Sequence, residues 1–198
     1  MQISGRQVKS HTPNQIMNPT DILAEYYDRH SKTYKILVAH GMQVADKALQ
    51  AAGRVANLKP DLDFIENAAM LHDIGIMETD SPGLDCHGGH PYICHGILGR
   101  KMLEKIGMSP YGLVCERHVG VGISAQDVSK FDLPLPARDM LPVTIEEQII
   151  CYADKFYSKN GNGRKADEKT VSKIVSELKP YGPDKVKRFQ SWVEMFDK

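Results

Sequence analysis

A helical hydrophobic period runs through this 198-residue chain, and the alternating pattern of half-buried strands is almost absent. Leu37, His40 and Val44, for example, fall on one face of a helix at spacings of three and four residues. Polar start signals precede the periodic segments. Ser31 stands before one of them, and Thr144 is followed three residues later by a glutamate, as in a capping box. The chain is therefore predicted to fold as an all-α helical bundle.

The pattern predicts helices at about residues 21–30, 32–52, 61–73, 92–106, 109–118, 144–156, 167–178 and 184–196, with a short additional helix after Ser124. A chain of this length is expected to form one domain with a real core. We therefore predict an N-terminal arm over residues 1–20 and a single helical domain over residues 21–198. A glycine-rich break is predicted at 160–163.

The charge balance limits the partners that this chain is expected to bind. Lys and Arg together number 25, as do Asp and Glu, so the formal net charge is zero. This balance predicts neither a nucleic-acid surface nor a polybasic membrane patch. No apolar run reaches bilayer-spanning length and the first 19 residues contain no apolar leader, so a cytoplasmic location is expected. The four cysteines form no CxxC pair and are interpreted as reduced thiols in or near the core.

The segment Leu71-His72-Asp73-Ile74-Gly75-Ile76 places a His-Asp doublet at the end of an apolar helix. Adjacent helical side chains point about 100° apart, so they do not normally share one target. A metal ion is an exception, because it can lie over the backbone and take one ligand from each side chain. The glycine that soon follows the doublet lets backbone approach a ligand closely at the edge of the core.

Further histidines and an aspartate fall on or beside the inward stripes of other predicted helices. One such residue alone would be interpreted as a hydrogen-bonded core side chain or a helix cap. Six together would be costly to bury unpaired, whereas metal ions would satisfy them jointly. The six candidate metal ligands are His40, His72, Asp73, His95, His118 and Asp154.

The order of these elements resembles the HD superfamily of metal-dependent phosphohydrolases, in its HDIG subset. His40, the segment 71–75 and Cys151-Tyr152-Ala153-Asp154-Lys155 match the family order of His, His-Asp and Asp. Segments 95–103 and 116–120 are similar to the two further histidine elements of members with two metals. The chain is more similar to small stand-alone members, including diadenosine tetraphosphate hydrolases, than to cyclic-di-GMP phosphodiesterases, because it lacks their Gly-Tyr-Pro element.

This resemblance covers roughly residues 32–160 and implies a compact all-α bundle around two divalent transition metals. The residues that would hold the first metal are His40, His72, Asp73 and Asp154. Asp73 would bridge to the second metal, which His95 and His118 would complete. Mixed nitrogen and carboxylate ligands suit Fe, Mn, Co, Ni or Zn rather than Ca.

The resemblance also implies hydrolysis of a phosphoester or phosphoanhydride of a small molecule by a metal-bridged water, with a nucleotide as the first candidate substrate. Asp73 would act in catalysis through the metals. Lys155 is predicted to contact phosphate and to act in catalysis, and Lys159 follows it by one helical turn. The candidate substrate-binding residues are Lys155, Arg117, Arg100 and His90.

Two other functions are compatible with the same six ligands. A few HD-fold proteins are mixed-valent diiron oxygenases that cleave C–C or C–P bonds, and iron content with oxygen consumption would distinguish them. A non-catalytic nucleotide-binding module is the third hypothesis. The intact ligand set disfavours it, because a degenerate HD domain is expected to have lost one or more ligands.

Two segments have more than one interpretation. The first contains Cys86, His87, His90 and Cys94, and it is interpreted as a polar loop, as a lid over the doublet or as a separate zinc site. The second is an apolar stripe near the C-terminus, formed by Trp192, Val193 and Phe196. This stripe is interpreted either as packing against the bundle or as the interface of a homodimer.

Overall fold

The computed structural model describes residues 18–159 and 165–197, and it confirms the predicted all-α fold. The α-helices of these residues are α1 (Pro19–Tyr26), α2 (Lys32–Arg54), α3 (Leu62–Leu71), α4 (His95–Lys105), α5 (Ser109–Arg117), α6 (Ala125–Lys130), α7 (Ile145–Asp154), α8 (Val171–Leu178) and α9 (Pro183–Phe196). Residues 1–17 of the predicted arm and the predicted break at 160–163 lie outside the described residues.

Side-chain caps explain where the helices begin. The Ser31 hydroxyl accepts the N–H of Tyr34 at the start of α2, and complete capping boxes open α6 and α7. Helix α1 begins two residues before its predicted start, because Asn18 Oδ1 accepts the N–H of Thr20 at 3.0 Å. Helix α1 also ends at Tyr26, so the predicted extension to residue 30 is wrong.

The segment after the His-Asp doublet consists of short turns rather than a long helix. Its 3-10 helices are Ile74–Glu78, Pro82–Leu84 and Tyr92–Cys94. Between them, β1 (Asp80–Ser81) and β2 (Cys86–His87) pair in an antiparallel hairpin with Asp80 opposite His87. The Thr33 hydroxyl at the start of α2 donates to the Leu84 carbonyl at 2.7 Å, so the hairpin is tied to this helix.

Two apolar clusters form most of the core. The α1–α4 cluster includes Ile22, Leu23, Leu37, Leu71, Ile74, Ile76, Met102 and Leu103. The α7–α9 cluster includes Val44, Ile65, Ile149, Tyr152, Phe156, Phe189, Trp192 and Phe196. His40 lies on α2 between Leu37 of the first cluster and Val44 of the second, so this helix carries a polar ligand to the boundary between them.

The C-terminal apolar stripe packs against the bundle. Trp192 and Phe196 on α9 are buried in the α7–α9 cluster, where Val193 packs against them. The indole N–H of Trp192 donates to Gln148 Oε1 at 3.1 Å, which ties α9 to α7. The two aromatic anchors of this stripe are therefore covered within one chain.

Tyr27 fixes the backbone immediately after the His-Asp doublet. Its buried hydroxyl donates to the Ile74 carbonyl at 2.6 Å and accepts the N–H of Met77 at 3.1 Å. These two bonds span the turn that follows Asp73. The carboxylate of Asp73 is thus positioned by a residue from a distant part of the chain.

Gly75 is required by close helix packing. A methyl group at this position would lie 2.2 Å from the His95 carbonyl oxygen and 2.3 Å from the Gly99 nitrogen. Because both contacts are with backbone, side-chain movement cannot relieve them. The glycine of the doublet motif therefore lets the turn after Asp73 approach the first turn of α4, which carries His95.

We expect Gly75→Ala to lower the free energy of unfolding by roughly 3 kcal/mol, because the added methyl must push two backbone segments apart. Gly53→Ala is the matched control, since its methyl would meet no atom within 4 Å on the exposed end of α2. The control is expected to raise stability by roughly 0.5–1 kcal/mol. Urea unfolding monitored by circular dichroism measures both values, and equal effects of the two substitutions would contradict the packing argument.

The four cysteines, Cys86, Cys94, Cys115 and Cys151, are buried and free, as predicted.

Among the helices of the described residues, none combines the length and the apolar character that crossing a bilayer requires.

Candidate metal centre

The fold brings all six candidate metal ligands to one buried place. His40 lies in the middle of α2, whereas the other five lie at helix ends or in the turns beside them. The doublet of His72 and Asp73 follows α3, and Asp154 is the last residue of α7. His95 opens α4 and His118 follows α5. All six are less than one tenth exposed.

The carboxylate of Asp73 divides the cluster into two groups. Its Oδ2 atom lies 3.4 Å from His40 Nε2 and 3.1 Å from His72 Nε2. Its Oδ1 atom lies 3.4 Å from the Nε2 atoms of both His95 and His118. The two carboxylate oxygens therefore face different histidine pairs, as a bridging ligand requires.

Asp154 completes the first of these groups. Its Oδ1 atom lies 3.0 Å from His40 Nε2 and 3.4 Å from His72 Nε2. Ligating atoms of His40, His72 and Asp73 lie within 4.8 Å of one another, and so do those of Asp73, His95 and His118. The described geometry therefore offers two adjacent groups of nitrogen and carboxylate donors.

Three of the histidine rings are oriented by the same backbone contact. The Nδ1–H of His72 donates to the Ala69 carbonyl at 2.6 Å. His95 and His118 make the corresponding bonds to the carbonyls three residues before them, each at 2.7 Å. In a neutral ring, a proton held on Nδ1 leaves the Nε2 lone pair aimed into the cluster, where a metal can take it. This arrangement is typical of metal-ligating histidines.

The contact between the His95 and His118 rings indicates that a metal fits between them. Their Nε2 atoms lie 3.1 Å apart, and both rings already use Nδ1–H as the donor to a carbonyl. Burial is the main reason that the pKa of His95 falls to about 3, and burial also lowers the pKa of His118. Two neutral rings then point lone pairs at each other, an arrangement that a shared cation would stabilise.

The electrostatics of the first group also favour a cation. Burial lowers the pKa of His72, but the charges of Asp73 and Asp154 outweigh it and raise the value to about 10. Neither oxygen of Asp73 has a hydrogen-bond partner of good geometry among the described residues. A multivalent cation would satisfy these oxygens together with the histidine nitrogens. The donor set therefore fits one or two transition metals.

Two lysines contact the carboxylates of the cluster. Lys155 Nζ lies 2.9 Å from Asp154 Oδ2, and Lys159 Nζ lies 2.7 Å from Asp73 Oδ2. Burial lowers the pKa of Lys159, but nearby groups including Asp73 outweigh it and raise the value, so this ammonium stays charged. Lys159 also lies over the ring of Tyr92, 5.7 Å from its centroid.

A cavity of about 510 Å³ opens beside the cluster. Its lining includes Tyr92, Asp154, Lys155, Lys159, Lys169 and Glu177. The Tyr92 ring stacks on His95 with centroids 4.6 Å apart, so it forms a wall next to the second ligand group. This volume is in the range of small-molecule sites, and its cations suit an anionic ligand.

Two of the predicted substrate-binding residues make other contacts. Arg100 forms ion pairs with Glu104 and with buried Glu116. Arg117 Nη1 donates to both carboxylate oxygens of buried Glu147, at 2.8 and 3.0 Å. These contacts give both arginines a structural role, because burying two glutamates requires paired cations. Neither arginine is among the residues that line the cavity, and their contact with substrate stays a prediction.

The other candidates differ in position. His90 is exposed, and Tyr92, two residues later, lines the cavity instead. Lys155 lines the cavity and contacts Asp154, and its contact with phosphate stays a prediction. Lys159 and Tyr92 were not among the candidate substrate-binding residues. In the sequence, Lys159 follows Lys155 by one helical turn, and Tyr92 lies just before the candidate ligand His95. These two positions are the signals that could have indicated them.

We expect Arg117→Met to lower the free energy of unfolding by roughly 1.5–3 kcal/mol, because it removes two charge-assisted hydrogen bonds from buried Glu147. The substitution is expected to leave metal content unchanged. Thermal unfolding and elemental analysis of the same sample measure the two effects. A normal melting temperature with reduced substrate affinity would instead support the original interpretation of Arg117.

The cysteine and histidine pairs around the hairpin do not form a second ligand cluster within the described residues. The Cys86 thiol lies against the Thr33 hydroxyl and the Leu84 carbonyl, whereas the Cys94 thiol donates to the Pro134 carbonyl at 3.5 Å. The structure thus disfavours a separate zinc site. The hydrogen bond from Thr33 to Leu84 also ties the hairpin to α2, as expected of an ordered loop.

Comparisons with known proteins place the chain in a family. The family model described as HD domain matches residues 37–158, which is more than half of the chain. An uncharacterized protein of Methanocaldococcus jannaschii is 33% identical over 123 residues, which is 61% of this chain and 65% of that protein.

Two longer relatives share the same region. A tRNA (cytidine(56)-2'-O)-methyltransferase of Picrophilus torridus is 34% identical over 111 residues, 55% of this chain and 29% of that protein. The enzyme of the same name from Thermoplasma volcanium is 28% identical over 123 residues, 62% of this chain and 32% of that protein. The match thus spans less than two thirds of each of the three relatives. No solved structure gives a significant match. The family match and the buried His-Asp cluster lead to one conclusion: this chain belongs to the HD domain family.

Proposed function

We propose that this protein is a metal-dependent phosphohydrolase that acts on a small phosphorylated molecule, with a nucleotide as its substrate. One observation carries the proposal. The two oxygens of Asp73 face two different histidine pairs, and a cavity lined by lysines opens beside them. HD domains are typically metal-dependent hydrolase domains, which agrees with this arrangement.

The ligand assignment follows from the two donor groups. His40, His72, Asp73 and Asp154 would hold one divalent metal, and Asp73, His95 and His118 would hold the other. Such a metal pair would supply an activated water and would neutralise the charge that develops on phosphoryl oxygens. Every protein side chain in the cluster is then a ligand, and none needs to act as the nucleophile.

The remaining residues bind and orient the phosphate. Lys155 and Lys159 present partly buried ammonium groups to the cavity next to the two carboxylates. Once a metal neutralises those carboxylates, the same ammonium groups can pair with phosphate oxygens. Tyr92 limits the cavity beside His95 and, through its position over Lys159, restricts where that lysine can point.

The proposal is tested by elemental analysis of the purified protein beside hydrolysis assays. The assays cover p-nitrophenyl phosphate, bis-p-nitrophenyl phosphate and a nucleotide panel, with chelator-treated protein as control. About two transition metals per chain and phosphate release that the chelator abolishes are expected. Two irons with oxygen consumption and no phosphate release would favour the oxygenase. Absence of bound metal after reconstitution with each candidate ion would contradict both enzymatic functions.

A further inference from the structure

A second, apolar cavity adjoins the metal-proximal one. It has a volume of about 440 Å³. Its apolar lining includes Ile93, Val119, Val121, Ile123, Phe131 and Leu133. These residues come from the segment before α4, from the loop after α5 and from the end of α6. We call this cavity the apolar lobe, and the lysine-lined cavity the polar lobe.

The two lobes adjoin each other along a shared wall. Gly120, Leu178 and Tyr181 line both of them. Gly120 has a φ of +65°, and a methyl group built on it would meet no atom within 4 Å. The shared wall is therefore bare backbone at this point, and a ligand can extend from one lobe into the other.

Two aromatic rings stand at the entrance of the apolar lobe. Phe131 and Tyr181 are 38% and 57% exposed, although large apolar side chains gain free energy by burial. Their rings contact each other edge to face with centroids 6.3 Å apart. Exposed aromatic rings beside an apolar cavity mark ligand-binding positions, and their faces suit a planar ring.

The apolar lobe also has a polar end. Lys185 is buried, and its ammonium group lies 2.6 Å from Asp127 Oδ2 and 2.6 Å from Asp184 Oδ2. An ammonium group has three donors, so one remains for an acceptor on a ligand. An apolar pocket with a few placed polar groups is typical of sites for heterocyclic ligands.

We propose that the apolar lobe binds the base of a nucleotide whose phosphate lies in the polar lobe, between Lys155 and Lys159. This inference rests on the proposed phosphohydrolase function and specifies its substrate class. A nucleobase fits better than an alkyl chain, because it is planar for Phe131 and Tyr181 and carries acceptors for Lys185. The shared wall at Gly120 supplies the path that the sugar would follow.

The test compares substrates that share one phosphoester. AMP and GMP are assayed beside ribose 5-phosphate, which carries the same 5'-phosphate without a base. A KM for the better nucleotide at least about tenfold below that for ribose 5-phosphate is expected, since stacking on an aromatic side chain contributes this much. Phe131→Ala and, independently, Tyr181→Ala are each expected to reduce that KM ratio several-fold.

Leu62→Ala is the matched control, because Leu62 is also an exposed apolar side chain, 51% exposed at the start of α3, and lines neither lobe. It should leave the KM ratio unchanged. Equal KM values for nucleotides and ribose 5-phosphate would overturn the inference, even if phosphate release supports the proposed function. Octyl phosphate binding as tightly as the nucleotides would also overturn it, because the lobe would then select for apolar area alone.

A binding measurement separates the two proposals. Calorimetric titration of adenosine and guanosine into chelator-treated protein needs neither metal nor hydrolysis. In one outcome, a nucleoside binds, Phe131→Ala weakens this binding at least several-fold, and no phosphate is hydrolysed. This outcome would support base binding in the apolar lobe and contradict the phosphohydrolase function. Hydrolysis without nucleoside binding and without a KM advantage for nucleotides would support the phosphohydrolase and contradict the lobe.

Discussion

Asp73→Asn is expected to remove both metals and to reduce phosphohydrolase activity to the level of chelator-treated protein. Asp73 is the one residue whose two oxygens face both histidine pairs in the cluster. The amide that replaces it has nearly the same shape but offers a single neutral acceptor. Both donor groups therefore lose a charged ligand in the same substitution.

His118→Ala is expected to remove one metal, whereas Asp73→Asn removes both. His118 faces Asp73 Oδ1 and His95, so it belongs to the second donor group. We expect this variant to keep about one metal per chain, held through His40, His72 and Asp154. Elemental analysis after dialysis, with circular dichroism to verify folding, distinguishes a content of two, one and zero metals. Retention of two metals by folded Asp73→Asn protein would contradict the bridging assignment.

Lys159→Met is expected to change metal affinity and substrate affinity in opposite directions. The Lys159 ammonium group lies 2.7 Å from the same Asp73 oxygen that faces His40 and His72. A divalent metal held by these residues would repel the ammonium group, so we expect metal binding to displace the lysine. Without the lysine, the metal should bind roughly tenfold more tightly, since the ion pair between Lys159 and Asp73 no longer has to be broken.

The same variant should bind phosphate substrates more weakly, with a KM raised roughly tenfold or more, because one of the two lysines beside the carboxylates of the cluster is lost. Lys169→Met is the matched control. Lys169 also lines the polar lobe, but its ammonium group pairs with Glu177 at 2.9 Å. This control is expected to leave metal affinity unchanged. Weaker metal binding by Lys159→Met would show that the lysine supports the site rather than competes at it.

The fold could be predicted largely from local signals. Hydroxyl caps such as Ser31 and Thr144 act through bonds within one helical turn, so the sequence around them determines where α2 and α7 begin. Helix ends were less predictable. The predicted end of the second helix at residue 52 is two residues early, because Gly53 has open space around it and is tolerated inside the last turn of α2.

The grouping of the six candidate ligands could be predicted from the sequence, whereas the contacts of Arg100, Arg117 and Lys159 could not. The inward stripes of the predicted helices made His40 and the other five residues candidates, and the resemblance supplied their division between two metals. Arg100 and Arg117 lie close in sequence to candidate ligands, yet each reaches a buried glutamate on another helix. Such pairing depends on which faces pack together, and a helical pattern does not specify it. For the same reason the contact between Lys159 and Asp73, 86 positions apart along the chain, could not be read from spacing.

The position of the metal centre between two apolar clusters has a consequence for thermodynamic linkage. The donors come from residues 40 to 154, so an ion that binds them recognises the folded chain and not the unfolded one. An ion present at 100 times its dissociation constant would add about 2.7 kcal/mol to the free energy of unfolding. None of the six candidate ligands belongs to the apolar clusters on either side. Metal exchange should then proceed in the folded protein, with the melting temperature reporting the concentration of free ion.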